Sequence, residues 1–244
     1  MRVALVTGAS SGIGRATAER LGEEGWRALL VARRADRLEA LAAKLGDARA
    51  FPLDVTDESA PERLREAAQE EGALHLLVNN AGSARRGSFQ EGGVENVRRM
   101  MELNFDSVVR ITEALLPLLR QSAPSSIVNV SSTAGRVALP RQGAYAASKF
   151  ALAGWTESLQ FEERRNGVHV GLVLPGFVAT EGFPQTALTR RRLTRWAVST
   201  PDKVAAAILA AGPGGKSERY VPRPYRLAPI ARVLFPGLWR RIVG

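Results

Sequence analysis

Asn129-Val130-Ser131-Ser132 precedes Tyr145-Ala146-Ala147-Ser148-Lys149, and the residue types and spacing of this stretch suit an acid–base device. Ser132 stands thirteen positions before Tyr145, and Lys149 four after it. On one helix that i,i+4 spacing stacks the tyrosine and the lysine on the same face. A free tyrosine titrates near about 10 and a free lysine slightly higher. An ammonium beside the phenol favours the phenolate, so proton exchange is expected nearer neutral pH. Ser132 offers a hydroxyl to a carbonyl oxygen. Taken alone, Y-x-x-x-K equally describes a helix with a packed tyrosine and a solvated lysine. The rest of the chain favours the chemistry.

These side chains need a frame and a second reactant. Near the N-terminus an apolar run at 3–6 reads as a short buried strand, followed by Thr7-Gly8-Ala9-Ser10-Ser11-Gly12-Ile13-Gly14. The glycines allow a tight turn and a close approach of backbone N–H groups to a pyrophosphate, and a helix starting near Gly12 would point its positive end at it. The spacing is G-x-x-x-G-x-G, not the G-x-G-x-x-G of the ordinary dinucleotide fingerprint. Strands are expected at 2–7, 27–32, 48–53, 74–79, 125–131, 168–174 and 218–222, mostly short Val/Leu/Ala runs suited to burial on both faces. Helices are expected at 12–24, 35–45, 58–71, 94–119, 143–165 and 201–211. The alternation predicts an α/β fold: a single-domain, Rossmann-like, doubly wound sheet of about seven parallel strands with helices on both faces.

Composition agrees with one such domain of 244 residues, 45% hydrophobic. Without cysteine there is no disulfide framework and no thiol nucleophile. His75 and His169 each open an apolar strand-like run and read as structural, so no metal site is expected. No run reaches the ~18 apolar residues of a membrane span, and the apolar start is too short for a signal peptide. A soluble, cytoplasmic protein is expected.

The order of motifs resembles the short-chain dehydrogenase/reductase family. That family is marked by T-G-x-x-x-G-x-G, N-N-A-G, a serine and Y-x-x-x-K. Here stand Thr7 to Gly14, Asn79-Asn80-Ala81-Gly82, Ser132, and Tyr145 with Lys149, together with Leu53-Asp54-Val55, Leu103-Asn104 and Pro175-Gly176-Phe177-Val178-Ala179-Thr180. The likeness covers about residues 1–180 and fades over the last sixty. It implies a nicotinamide cofactor bound by Gly8, Ser10, Ser11, Gly12, Ile13, Gly14, Asp54, Val55, Asn80, Ala81, Gly82, Pro175, Gly176, Val178 and Thr180, with Tyr145 and Lys149. Asp54 would accept from the adenine amino group, and Thr180 would meet the nicotinamide carboxamide or a phosphate. Asn80 and Ala81 would line the adenosine ribose region, with Asn80 equally able to clamp two strands. Asn104, in the helix after the N-N-A-G strand, would hold a water linking the lysine to solvent.

Charge bears on which nicotinamide cofactor is preferred. An acid about 20 residues after the glycine turn would hold the ribose 2′-hydroxyl of NAD; here that place is Ala32, followed by Arg33 and Arg34. Arginine offers a planar fork suited to phosphate, and by resemblance an arginine after the missing acid marks NADPH-preferring members. Arg33, assisted by Arg34, therefore predicts NADP(H) over NAD(H). The implied reaction is hydride transfer to a ketone or aldehyde, or the reverse. Ser132 would polarise the carbonyl, Tyr145 would act as acid or base, Lys149 would lower the tyrosine pKa, and Asn104 would complete a relay. The alternative is an NADP(H)-binding, redox-sensing or regulatory protein with little catalysis; the intact catalytic set argues against it.

The net charge of +10 comes from 34 basic residues, thirty of them arginine. A substrate lid is expected at about 181–200, where Phe183, Leu188, Leu193 and Trp196 mingle with arginines. The plainer reading is a solvated lid helix with an apolar inner face; the sharper one is a pocket for an apolar substrate with an anionic end. The catalytic domain is expected over 1–224. The tail, 225–244, is apolar, cationic and broken by prolines. Packing on a neighbouring subunit or covering the substrate pocket is the first expectation for it, peripheral contact with an anionic membrane the second. Nucleic acid comes last, for want of a binding motif or stacking platform. The expected substrate is a small carbonyl or alcohol, with a lean toward an apolar one. A homo-oligomer, dimer or tetramer, is expected through helices 94–119 and 143–165.

Overall fold

A computed structural model describes residues 1–85, 87–181 and 197–243. Its centre is a sheet of seven parallel strands: β1 (Val3–Thr7), β2 (Arg27–Ala32), β3 (Ala48–Pro52), β4 (Leu76–Asn79), β5 (Ser125–Val130), β6 (Val168–Pro175) and β9 (Glu218–Val221), in the order β3-β2-β1-β4-β5-β6-β9. All seven were expected, with ends shifted by at most two residues. The inner strands are buried throughout: β1, β4 and β5 expose no residue on either face, as strands of a parallel sheet covered by helices on both sides are.

Helices cover both faces. On one side α1 (Gly12–Glu23), α2 (Ala35–Leu45) and α7 (Pro201–Ala211) bury Leu21, Leu38, Leu41, Val204 and Ile208. On the other, α3 (Ala60–Glu70), α5 (Ser107–Gln121) and α6 (Gly143–Glu163) bury Leu64, Ile111, Leu115 and Leu159. Each such leucine contributes about 1.5–3 kcal/mol by leaving water, and truncating fully buried Leu115 would cost about 2–5 kcal/mol.

The strand order reverses between β1 and β4, which opens a crevice at their carboxyl ends. Thr7 pins that crevice. Its hydroxyl donates to Val78 O (3.3 Å) and accepts from the backbone N–H groups of Asn80 (2.9 Å) and Ala81 (3.0 Å).

Three features depart from the sequence expectations. The helix expected at 94–119 is α4 (Phe89–Met101), a π-helical turn over Glu102–Asp106, and α5. α4 starts earlier because Ser88 and Glu91 form a capping box. Two short strands, β7 (Phe177–Val178) and β8 (Val198–Ser199), pair in parallel and bring together the ends of the expected lid. Apart from Glu181 and residues 197–200, that lid lies outside the described residues. The tail breaks before Pro236 but is helical on both sides of the break. A 3-10 turn (Arg223–Arg226) leads into α8 (Leu227–Leu234) and α9 (Pro236–Val243). Pro236 is the first residue of α9 and Pro229 the third of α8, first-turn places where a missing N–H costs no helical hydrogen bond.

Candidate active site

The glycine turn leaves β1 and enters α1. Gly8 and Gly12 take φ of 71° and 54°. A Cβ on Gly14 would lie 2.2 Å from Gly8 O and 2.6 Å from Asn80 Nδ2, so the turn closes only with glycine there. Ser11 caps α1 without a side-chain hydrogen bond to its first amides, which leaves the positive end of the helix to an anion. Gly12 faces Thr180, whose Cγ2 would be 3.2 Å from an added Cβ. This cradle fits a dinucleotide pyrophosphate.

Of the two arginines after β2, Arg34 lies on the cradle. Its guanidinium donates to Ser10 Oγ (3.0 and 3.2 Å) and Ser11 Oγ (2.8 Å). Arg33, placed first by the sequence, is largely exposed and stands 3.6 Å from the Asp54 carboxylate. Asp54 also accepts from Thr56 N (3.1 Å) and Thr56 Oγ1 (2.8 Å). Burial works to raise the Asp54 pKa, but the Thr56 hydrogen bonds and Arg33 hold it below the ordinary value. Val55, next to it, is buried in the core. Asn80 is a clamp: its Nδ2 donates to Thr7 O at 2.9 Å. Ala81 packs against the same core.

The catalytic candidates meet where β5, α6 and β6 end. Lys149 is buried and its Nζ donates to Val130 O at 2.9 Å. Ser132 and Tyr145 line one cavity with it. Ser132 Oγ donates to Pro175 O (3.3 Å) and accepts from Ala134 N (3.1 Å). Burial pushes the Tyr145 pKa up, and hydrogen bonding to Ser132 opposes that rise. Burial pulls Lys149 down to about 8. The expected lowering of the tyrosine by the lysine is thus corrected for the protein alone. The ammonium is engaged by a strand carbonyl, and it is the lysine that is tuned toward neutrality.

Asn104 is wholly buried. Its Oδ1 accepts from Ser83 N (3.0 Å), and its Nδ2 donates to Ser83 O (3.0 Å) and Ser148 Oγ (3.0 Å). Ser148 Oγ in turn donates to Tyr145 O at 2.9 Å. The π-helical turn delivers this amide, a common use of such irregularities at functional sites. A Cβ on Gly82 would sit 2.9 Å from Asn104 Oδ1 and 3.5 Å from Lys149 Nζ. Glycine keeps that gap open.

One cavity gathers Ile13, Asn80, Gly82, Ser132, Tyr145, Lys149, Pro175, Gly176, Val178 and Thr180. Sequence reasoning missed part of its wall: Val137, Leu139 and Phe177, and from the tail Tyr225, Ala228 and Trp239. The Tyr225 ring packs so closely on Gly176 that a Cβ there would lie 1.8 Å from it, and Tyr225 OH donates to Ala197 O at 2.9 Å. Three residues of the tail thus line the pocket. The ring opposite a glycine, at 225 against 176, leaves no periodic signal in the sequence.

A seven-stranded parallel sheet, a glycine cradle at its reversal point and a serine, tyrosine and lysine on the adjoining wall define a nucleotide-dependent oxidoreductase. Comparison places it more closely. A family profile described as "short chain dehydrogenase" matches residues 2–190. The chain is 35% identical over 176 residues to a 3-ketodihydrosphingosine reductase of Bacteroides thetaiotaomicron, covering 72% of this chain and 63% of that protein. It is 34% identical over 247 residues to a rhamnolipids biosynthesis 3-oxoacyl-[acyl-carrier-protein] reductase of Pseudomonas aeruginosa, covering 97% and 92%. A crystal structure of a short-chain dehydrogenase from Streptomyces avermitilis superposes with a TM-score of 0.83 at 31% identity, covering 95% and 92%. The chain belongs to the short-chain dehydrogenase family, oxidoreductases that use nicotinamide cofactors.

Proposed function

We propose that the protein reduces a ketone or aldehyde with NADPH, or runs the reverse oxidation. The observation that carries this reading is the convergence of Ser132, Tyr145 and Lys149 on one cavity that also reaches the glycine turn through Ile13 and Asn80. The nicotinamide, when bound, supplies the hydride. Ser132 Oγ binds the carbonyl oxygen and stabilises charge as it develops. Tyr145 gives that oxygen its proton, and in the oxidative direction takes one back. Lys149 holds its proton near neutrality behind the tyrosine, and Asn104 faces Lys149 across Gly82 to pass protons onward.

Preference for NADP(H) is supported by the absence of a carboxylate at Ala32 and by the Arg34 fork on Ser10 and Ser11, donors that a 2′-phosphate can claim. Arg33 adds charge beside it. The apolar wall from Val137, Leu139, Phe177 and Trp239 favours a carbonyl on an apolar body, consistent with the 3-ketodihydrosphingosine and 3-oxoacyl-[acyl-carrier-protein] reductases among the relatives. Exposed Phe161 on α6 and Phe89 and Val94 on α4 are faces that a second copy would cover in a homo-oligomer. Among the described residues no helix is long and apolar enough to cross a membrane, and a cytoplasmic location is part of the proposal. The test is cofactor titration of wild type and Arg34→Ala. NADPH affinity should fall by about tenfold or more, the worth of one or two charge-assisted hydrogen bonds, with NADH affinity little changed. Equal losses for both would refute the phosphate role.

A further inference from the structure

The tail helices are built inside out for a surface helix. In α8 the half-buried residues are Ala228, which lines the cavity, Pro229 and Ala231. The bulky ones face water: Leu227 is 58% exposed, Ile230 51%, Val233 74% and Leu234 65%. Leu227, Ile230 and Leu234 recur at i, i+3 and i+7, so they form one stripe. Phe235 continues it between the helices, and Leu238 and Ile242 extend it along α9 at i,i+4, while Trp239 turns inward to the cavity.

Within the tail itself the charge has one sign. Residues 219–244 hold six arginines and neither aspartate nor glutamate. Arg226, Arg240 and Arg241 are exposed. Arg232 ties the tail to the body, donating to Arg136 O at 2.6 Å and lying 5.5 Å from the Phe150 ring centroid. An aliphatic stripe flanked only by arginines is complementary to the anionic headgroups and acyl boundary of a lipid surface. A second copy fits worse, because a two-fold contact would set arginines against arginines without an acid between them. An acidic protein would meet the arginines but leave the aliphatic stripe in water.

We propose that α8 and α9 dock the chain on an anionic membrane surface, with the stripe in the lipid boundary and the active-site cavity directly behind it. Tyr225, Ala228 and Trp239 then form a thin apolar partition between bilayer and cavity, placed to receive a carbonyl compound dissolved in the lipid. The docking surface stands whether or not the proposed reaction does, since its test reads binding and not turnover.

The experiment is co-sedimentation of the full chain with vesicles of phosphatidylcholine containing phosphatidylserine, and of phosphatidylcholine alone, at low and high salt. Binding is expected to the anionic vesicles and to weaken with salt. Arg240→Gln with Arg241→Gln should weaken it by about fivefold per arginine. Leu234→Asp with Leu238→Asp should abolish it while leaving NADPH affinity and secondary structure unchanged. Should that apolar variant misfold, the arginine pair carries the test alone. The proposal is overturned if the intact chain stays in the supernatant, if both vesicle types bind it equally, or if the variants bind like wild type. It is also overturned if light scattering finds a dimer that the Leu234/Leu238 variant converts to monomer.

Discussion

Replacing Lys149 by methionine should change how stability depends on pH, and by an amount the structure sets. Lys149 titrates at about 8 in the folded protein against an ordinary 10.5, because it is buried. A lysine whose folded pKa is depressed penalises the fold wherever it must carry a proton. The cost is complete below the folded pKa and vanishes as pH rises past the unfolded one. The gap of about 2.5 is worth about 3 kcal/mol at ~1.4 kcal/mol per tenfold. Of this, about 2 kcal/mol should be relieved between pH 7 and pH 10. The measurement is urea unfolding of cofactor-free wild type and Lys149→Met at both pH values. Wild type should gain about 2 kcal/mol relative to the variant on going to pH 10. Terms indifferent to pH, such as the Val130 carbonyl left without its donor, cancel in that comparison. A difference between the two proteins that stays constant with pH would refute the claim that burial has tuned this lysine. It would also remove the basis for a proton held near neutrality behind Tyr145.

Two further substitutions probe the site. Ser132→Ala removes the donor to the developing oxyanion and should lower kcat by about a hundredfold or more with little change in NADPH affinity; equal loss of cofactor binding would mean the serine is structural. Gly82→Ala puts a methyl 2.9 Å from Asn104 Oδ1, a group pinned by three hydrogen bonds. It should destabilise the protein by about 1–3 kcal/mol and slow turnover, measured by unfolding and steady-state rates, whereas an unchanged protein would show that the gap is not used.

The sheet was legible chiefly from its central strands, such as Val3–Thr7 and Leu76–Asn79, which are short, mostly apolar and buried on both faces. The site was legible where chemistry is local. Tyr145 and Lys149 share a helix face at i,i+4, the Gly8 to Gly14 turn spans seven residues, and Ser132 stands at a strand end thirteen residues before the tyrosine. What depended on distant packing was not legible. Which arginine lies on the glycine cradle turns on the rotation of the chain after Ala32, and Arg34, not Arg33, reaches Ser10 and Ser11. The π-helical turn at 102–106 answers to the partners of one buried amide, Asn104, and a periodic pattern carries no trace of that. Ser88-Phe89-Gln90-Glu91 did carry a readable capping signal for α4. The tail's prolines marked a real break before Pro236, but not the short helices on either side of it, and the tail's place over the cavity follows from a ring at 225 fitting a glycine at 176.

The central claim is that Tyr145 transfers the proton in an NADPH-dependent carbonyl reduction. The direct test is oxidation of NADPH, followed at the nicotinamide absorbance against a panel of apolar and polar ketones and aldehydes, with wild type and Tyr145→Phe side by side and cofactor affinity measured on both. Turnover by wild type that disappears in Tyr145→Phe, with NADPH still bound by both, is the predicted result. Turnover that persists in Tyr145→Phe would contradict it.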